Sequence, residues 1–129
     1  MTKTIDRATF MTPVPVSREE VSMPEWGEGV TVWVYGWTAK EKNEHDASAL
    51  NKECTGVSRT KLKTQKERTV IGCVRDESGG RIFSADDVKV IAEWPAHIVE
   101  RIVDVSDRMN GSGEDIEAMA KNSDGAEQG

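Results

Sequence analysis

Apolar and polar residues alternate most clearly over residues 30–35. Alternate residues of a strand share a face, which gives a valine face and an aromatic face: Val30, Val32 and Val34 on one side, Thr31, Trp33 and Tyr35 on the other. Residues 20–23 form a second short strand, and PEWGEG between the two is typical of a hairpin loop. The pattern predicts a two-stranded antiparallel hairpin, which needs helices packed on it because an isolated hairpin is marginally stable.

Helical spacing of apolar residues follows the hairpin. A capping box, Thr38 to Glu41, starts a helix over about residues 39–50, and Ser58 starts a second over about 59–75. Ser84 starts a third, in which Val88, Ile91 and Ala92 would face the core. Pro95 stands at the first position of a helix over 97–109 with an apolar stripe, Ile98, Ile102, Val105 and Met109, closed by Asn110 and Gly111. A last short helix is expected over residues 112–120.

The order of elements predicts an α+β fold that is mostly α, with an N-terminal β-hairpin followed by four to five short helices. The length of 129 residues suits one domain. Residues 1–10 show no pattern, and the alternating prolines of TPVPV fix an extended lead-in. We therefore expect a mobile arm over residues 1–19, a single domain over 20–121 and a disordered tail over 122–129.

Charge limits the function classes. The net charge of −6 argues against nucleic-acid binding, which needs clustered Lys and Arg.

No apolar run approaches the roughly 20 residues of a membrane span, and the first residues do not form a signal peptide. Cys54 and Cys73 lack the spacing of a zinc or redox pair, and Cys73 lies on an apolar stripe. We expect a protein of a reducing cytoplasm, without metal or cofactor.

The charge is unevenly distributed. Residues 52–75 carry seven basic and two acidic side chains, whereas residues 76–129 carry thirteen acidic and five basic ones. These halves can pair within one molecule or head to tail between copies, in which case assembly weakens with salt. The exposed cations of the basic segment are the first candidates for partner contact or self-association: Lys61, Lys63, Lys66 and Arg68.

Residues 24–41 hold three of the four tryptophans and the only tyrosine. Trp33, Tyr35 and Trp37 are typical of a packing face, so we expect Trp33 or Trp37 to be buried against the helices. A nucleic-acid platform is disfavoured because the stretch offers one Lys and three Glu. A protein interface remains open, with Trp26 and Trp37 as anchors.

No residue set points to catalysis. Ser58 and Lys61 match S-x-x-K, the nucleophile pattern of penicillin-recognising enzymes, but the S-D-N and K-T-G companions are missing. A helix cap explains Ser58 better. His45 and His97 have no partners at ligand spacing. The chain is therefore predicted not to be an enzyme.

The order of motifs resembles that of the tail assembly chaperones of long-tailed bacteriophages. The motifs are E-V-x-M-P-E-W-G from Glu20, V-x-V-x-G-x-T-A-x-E from Val32, the apolar run 70–74, D-E-x-G-G-R-x-F-S from Asp76, and I-V-E-R-I-V at 98–103 with M-N-G at 109–111 and E-D-I-E at 114–117. Trp37 stands where an aliphatic residue is usual, and no Leu follows Gly111.

This resemblance implies a non-enzymatic protein of the host bacterial cytoplasm that is absent from the mature virion. Its partners would be the tape measure protein, which it keeps soluble, and the major tail protein, which it helps to recruit. Self-association into a spiral or ring is also expected. The alternative is a small structural or adaptor protein of a phage virion.

The family also implies a longer product made by −1 frameshifting. Ala120, Lys121 and Asn122 permit it when the codons read GCA-AAA-AAC or GCA-AAA-AAT, because both tRNAs then re-pair after slipping back one base. We expect the gene to contain that run, and a reporter in the −1 frame to show a minor longer product that synonymous changes at Lys121 and Asn122 abolish. Codons such as GCG-AAG would rule out this site.

Overall fold

A three-stranded antiparallel sheet lies near the N-terminus. The structure, a computed structural model, describes residues 4–50, 56 and 58–111. Strand β1 is Arg18–Ser22, β2 is Thr31–Tyr35 and β3 is Val74–Arg75, with β2 in the centre. In β1 and β2, Arg18 lies opposite Tyr35 and Val21 opposite Val32. The predicted hairpin is confirmed, with β1 displaced toward the N-terminus.

The third strand and a break in the second predicted helix differ from the sequence prediction. One helix was expected over residues 59–75, and this is wrong: α3 is Arg59–Leu62, α4 is Gln65–Cys73, and β3 follows directly. The Thr64 backbone is non-helical, and its hydroxyl donates to the Lys61 carbonyl, which ends α3. Val74 turns to an extended conformation and pairs with Val34, a long-range contact that helical spacing does not report.

The remaining helices follow their capping residues. Helix α2 is Ala39–Ala47, and its Thr38–Glu41 capping box forms as predicted. A 3-10 turn, Ala85–Asp87, leads into α5, Val88–Ala92, where Ala92 is exposed and not in the core as expected. Helix α6 is Ala96–Asn110 and is closed by Gly111 at φ 66°. Pro95 lies one position before the first helical residue, not at it as expected, and makes no side-chain capping hydrogen bond. The predicted α+β fold is confirmed.

The core lies between the valine face of the sheet and helices α4 and α6. Val34 and Val70 are fully buried, and Ile98 and Ile102 of α6 are nearly so. Cys73 is a buried core residue as predicted, and burial raises the pKa of its thiol to about 12. The aromatic face of the sheet therefore points away from α4 and α6.

The N-terminal segment carries one helical turn, α1, Arg7–Phe10, which the sequence did not predict. The Asp6 carboxylate accepts hydrogen bonds from the amide and hydroxyl of Thr9, and so caps this turn. Every side chain from residue 4 to residue 15 is exposed. The predicted helix over 112–120 and the tail 122–129 lie outside the described residues.

Candidate interaction surfaces

An apolar groove opens at the hairpin end of the sheet, beside the N-terminal half of α6. Its volume is about 290 Å³. Six apolar side chains from the hairpin and the α5 region line it: Met23, Trp26, Val30, Val32, Phe83 and Trp94. Ile102 of α6 also lines it. We call this surface the groove.

Three aromatic rings give the groove its shape. Trp94 packs edge-on against Trp26 with ring centroids 5.0 Å apart, and against Phe83 at 5.7 Å. Trp26 itself is 50% exposed. Edge-to-face packing fixes the rings while leaving their outer faces available. The groove is thus a preformed apolar surface of the kind that binds a nonpolar side chain.

A carboxylate–arginine pair holds the turn that carries Trp26. Arg101 of α6 donates two hydrogen bonds to the Glu25 carboxylate, at 2.8 and 2.7 Å. These bonds lower the pKa of Glu25 to about 2. His97 lies 3.6 Å from the same carboxylate. The pair keeps the 3-10 turn Pro24–Trp26 against α6 and so positions one wall of the groove.

Trp37 packs on the other side of the core, where it covers α4. Its indole Nε1 donates to the Gly72 carbonyl at 3.1 Å. A Cβ at Gly72 would lie 3.1 Å from the Trp37 ring, so a residue without a side chain lets the indole lie directly on the helix. Trp37 is half-buried and packs against the core, which confirms the packing prediction for this residue.

Trp33 does not pack against the helices. It lies half-buried on the outer face of the sheet, with the Arg18 guanidinium 4.1 Å from its ring centroid. Tyr35 on the same face bonds the carbonyls of Asp76 and Glu77 through its hydroxyl. The alternation along the strand correctly identified which residues share a face of the sheet. The helices cover the valine face, however, and not the aromatic face that carries Trp33.

His45 packs against Trp37 with the two rings tilted by 46° and their centroids 4.5 Å apart. Its Nε2 lies 2.7 Å from the Gln65 amide nitrogen and 3.0 Å from the Thr69 hydroxyl. Burial, together with the nearby Arg68 charge, lowers the pKa of His45 to about 4. The imidazole is therefore neutral at pH 7 and part of the packing between α2 and α4.

This pKa predicts a loss of stability in mild acid. Because the folded pKa is about 4 and the unfolded value is about 6.5, the unfolded chain binds the proton first as the pH falls. We expect the free energy of unfolding to decrease by about 2 kcal/mol between pH 7 and pH 4.5. Urea unfolding across this range measures it.

The matched controls are two glutamine variants. His45→Gln should remove most of the pH dependence, whereas exposed His97→Gln should retain it. The series stops at pH 4.5 because carboxylates with lowered pKa values, such as Glu25, lose most of their own stabilising contribution below that pH. An unchanged slope in His45→Gln would contradict the assignment.

The four candidate cations do not form one cluster. Lys61 and Lys63 are exposed. Lys66 forms an ion pair with Glu100 of α6, so part of the basic segment meets the acidic half within one molecule. Arg68 points inward, where it donates to the Ser48 hydroxyl and to the Gln65 side-chain carbonyl at 2.6 Å.

The described residues offer no catalytic arrangement of the kinds that the sequence raised. Ser58 accepts a hydrogen bond from the Lys61 amide at 3.3 Å and is a helix cap.

No group of three His, Cys, Asp or Glu side chains in residues 4–50, 56 and 58–111 is placed to hold a metal ion. Within the same residues, no helix has the length and apolarity to cross a membrane. Cys54, Ala120, Lys121 and Asn122 lie outside the described part of the chain.

Sequence reasoning found Trp26 but missed the other walls of the groove. Phe83 and Trp94 follow the D-E-x-G-G-R turn and precede Pro95, far from the hairpin in sequence. One signal in the sequence was Trp94, which stands just before Pro95 at the start of a helix. An aromatic ring is not needed there to form the helix, so its presence indicates a tertiary contact. Their meeting with Trp26 is a tertiary contact without a local pattern.

No protein-family model matches the chain. No curated protein matches it either. Among solved structures, the chain is similar to the bacteriophage HK97 tail assembly chaperone, with a TM-score of 0.54 over 80% of this chain and 90% of that one. The two chains share a fold. Their sequences are 15% identical, so the similarity is one of architecture, and it agrees with the family resemblance of the motifs.

Proposed function

We propose that this protein is a tail assembly chaperone of a long-tailed bacteriophage, a non-enzymatic protein that binds other tail proteins before the tail is complete. The observation that carries the proposal is the fold shared with the HK97 tail assembly chaperone across most of both chains. The order of structural motifs along the sequence supports the same role independently of the coordinates.

The proposed partners are the tape measure protein and the major tail protein. A tape measure protein is a long helical chain that needs its apolar stripe shielded until the tail forms. The exposed apolar surface of this domain supports such binding, since Trp26, Ile82 and Val90 are each at least half exposed. The exposed Lys61 and Lys63 supply a second, polar contact region.

The proposal includes the site of action, which is the cytoplasm of the infected host. A chaperone leaves the particle when assembly ends, whereas a structural or adaptor protein stays in fixed copy number. Quantitative mass spectrometry of infected cells and purified virions therefore separates the two roles. We expect the chain in the infected-cell lysate and its absence from virions that contain the tape measure protein. Stoichiometric amounts in the virion would contradict the chaperone role.

A further inference from the structure

The N-terminal arm, which we define as residues 4–17, exposes large apolar side chains. Phe10 is 71% exposed, Met11 66% and Val14 88%. Phe10 ends the capped turn α1 and Met11 follows it, so the two side chains are presented together. Neighbouring large apolar groups left in water usually mark a binding surface.

The groove is the second apolar feature that this fold leaves open. Its volume of about 290 Å³ is just below the ligand-pocket range, roughly 300–1,000 Å³, and suits one or two bulky side chains. Aromatic walls favour Phe10 through edge-to-face packing and Met11 through sulfur–aromatic contact. The arm and the groove therefore match in chemistry and in size.

The arm leaves the domain at the end opposite the groove. The Ser17 carbonyl accepts a hydrogen bond from the Gly36 amide at 2.7 Å, and Arg108 of α6 pairs with Glu19. The arm thus departs beside the C-terminal end of α6. Arg101 and Glu25 place the groove beside the N-terminal half of the same helix.

The prolines of the arm carry Phe10 further from its own groove. Pro13 and Pro15 favour an extended backbone just before β1, at the end of that strand away from the groove. The Thr12 amide still bonds the Thr9 carbonyl, and the four residues 13–16 then span at most about 14 Å. Phe10 and Met11 are consequently presented to a neighbouring molecule.

The charges of the two surfaces also favour binding of the arm to the groove. The segments that bracket the groove, residues 23–30 and 82–94, carry five carboxylates and one lysine. Residues 1–17 carry two basic side chains and one acidic one. Opposite net charge steers the two surfaces together, while the apolar contact supplies most of the affinity.

We propose that the arm of one copy inserts Phe10 and Met11 into the groove of a second copy. Each copy then gives an arm and receives one: two copies that exchange arms close as a dimer, whereas a contact that runs head to tail closes into a larger ring or continues as a filament. The inference names the surfaces that would carry the self-association implied by the family resemblance, and its test does not involve the proposed tail-protein partners.

Sedimentation velocity of the full chain tests self-assembly from micromolar to millimolar concentration. We expect the average sedimentation coefficient to rise with concentration, and a chain lacking residues 1–16 to stay monomeric. The double variant Phe10→Ser, Met11→Ser should weaken the association about a hundredfold, because two buried apolar side chains are lost. The matched control Thr12→Ala should assemble like the parent.

A mixing experiment identifies the acceptor surface. The chain lacking residues 1–16 keeps the groove, and the full-length variant Val30→Glu keeps the arm but places a charge in the groove. Each alone should be monomeric, and the mixture should form a 1:1 heterodimer that does not extend. Trp26→Ala serves as a second groove variant, and thermal melting verifies that each variant is folded.

Several results would overturn the proposal. They are a full chain that is monomeric at every concentration, an arm-deleted chain that still assembles, and a mixture without heterodimer. A peptide of residues 1–17 that binds the arm-deleted chain while the full chain stays monomeric would place the arm in its own groove. Assembly that disappears at 1 M salt would indicate the basic-to-acidic contact instead, since an apolar contact persists there.

Discussion

Replacing Trp37 by alanine should destabilise the domain by about 3 kcal/mol. The indole covers α4 at Gly72, donates a hydrogen bond to that residue's carbonyl and packs against the His45 ring. Its removal leaves a void beside the core and takes one hydrogen bond from the Gly72 carbonyl, which keeps only the Arg75 guanidinium as a side-chain donor. Chemical denaturation followed by far-UV circular dichroism measures the loss directly.

Trp33→Ala is the matched control, because it removes the same side chain from the same segment. Trp33 lies on the outer face of the sheet under Arg18, so we expect a loss of only about 1 kcal/mol. From sequence alone the two tryptophans were equivalent. Equal losses for both variants would contradict the assignment of the outer face.

Ile102→Ala should cost about 3 kcal/mol, because this side chain is almost fully enclosed between the sheet and α4. The cavity left at this position borders the groove, where Ile102 also contributes to the lining. Equilibrium urea unfolding measures the change, and the slope with urea should stay at its parental value.

Val105→Ala provides the comparison on the same helix. The sequence placed Val105 and Ile102 on one inward stripe, but the structure leaves Val105 half-buried and turns Val99, Val103 and Ser106 inward. We therefore expect a loss of about 1 kcal/mol for Val105→Ala. A loss as large as that of Ile102→Ala would support the stripe read from the sequence.

Local signals were sufficient for much of the fold. The Thr38–Glu41 capping box and the closing Gly111 act within one helical turn, so the residues themselves specify the helix ends. The hairpin likewise followed from strand alternation and a loop rich in Gly and Pro. These features needed no information from distant parts of the chain.

The errors arose where distant residues decide the outcome. Val74 leaves the helix because it pairs with Val34, forty residues earlier in the sequence. Alternation over residues 30–35 defined two faces, but α4 and α6 determine which one is buried. The groove depends on Trp26, Phe83 and Trp94 meeting in space, which no spacing in the sequence encodes.

The most direct test of the chaperone role is the solubility of a tape measure protein. The tape measure protein of the same phage is expressed alone, with this chain, or with an unrelated acidic protein of similar size. The soluble fraction is quantified after centrifugation, and affinity purification of this chain reports association. We predict that only this chain raises the soluble fraction and that the two proteins co-purify. An unchanged soluble fraction without co-purification would contradict the account.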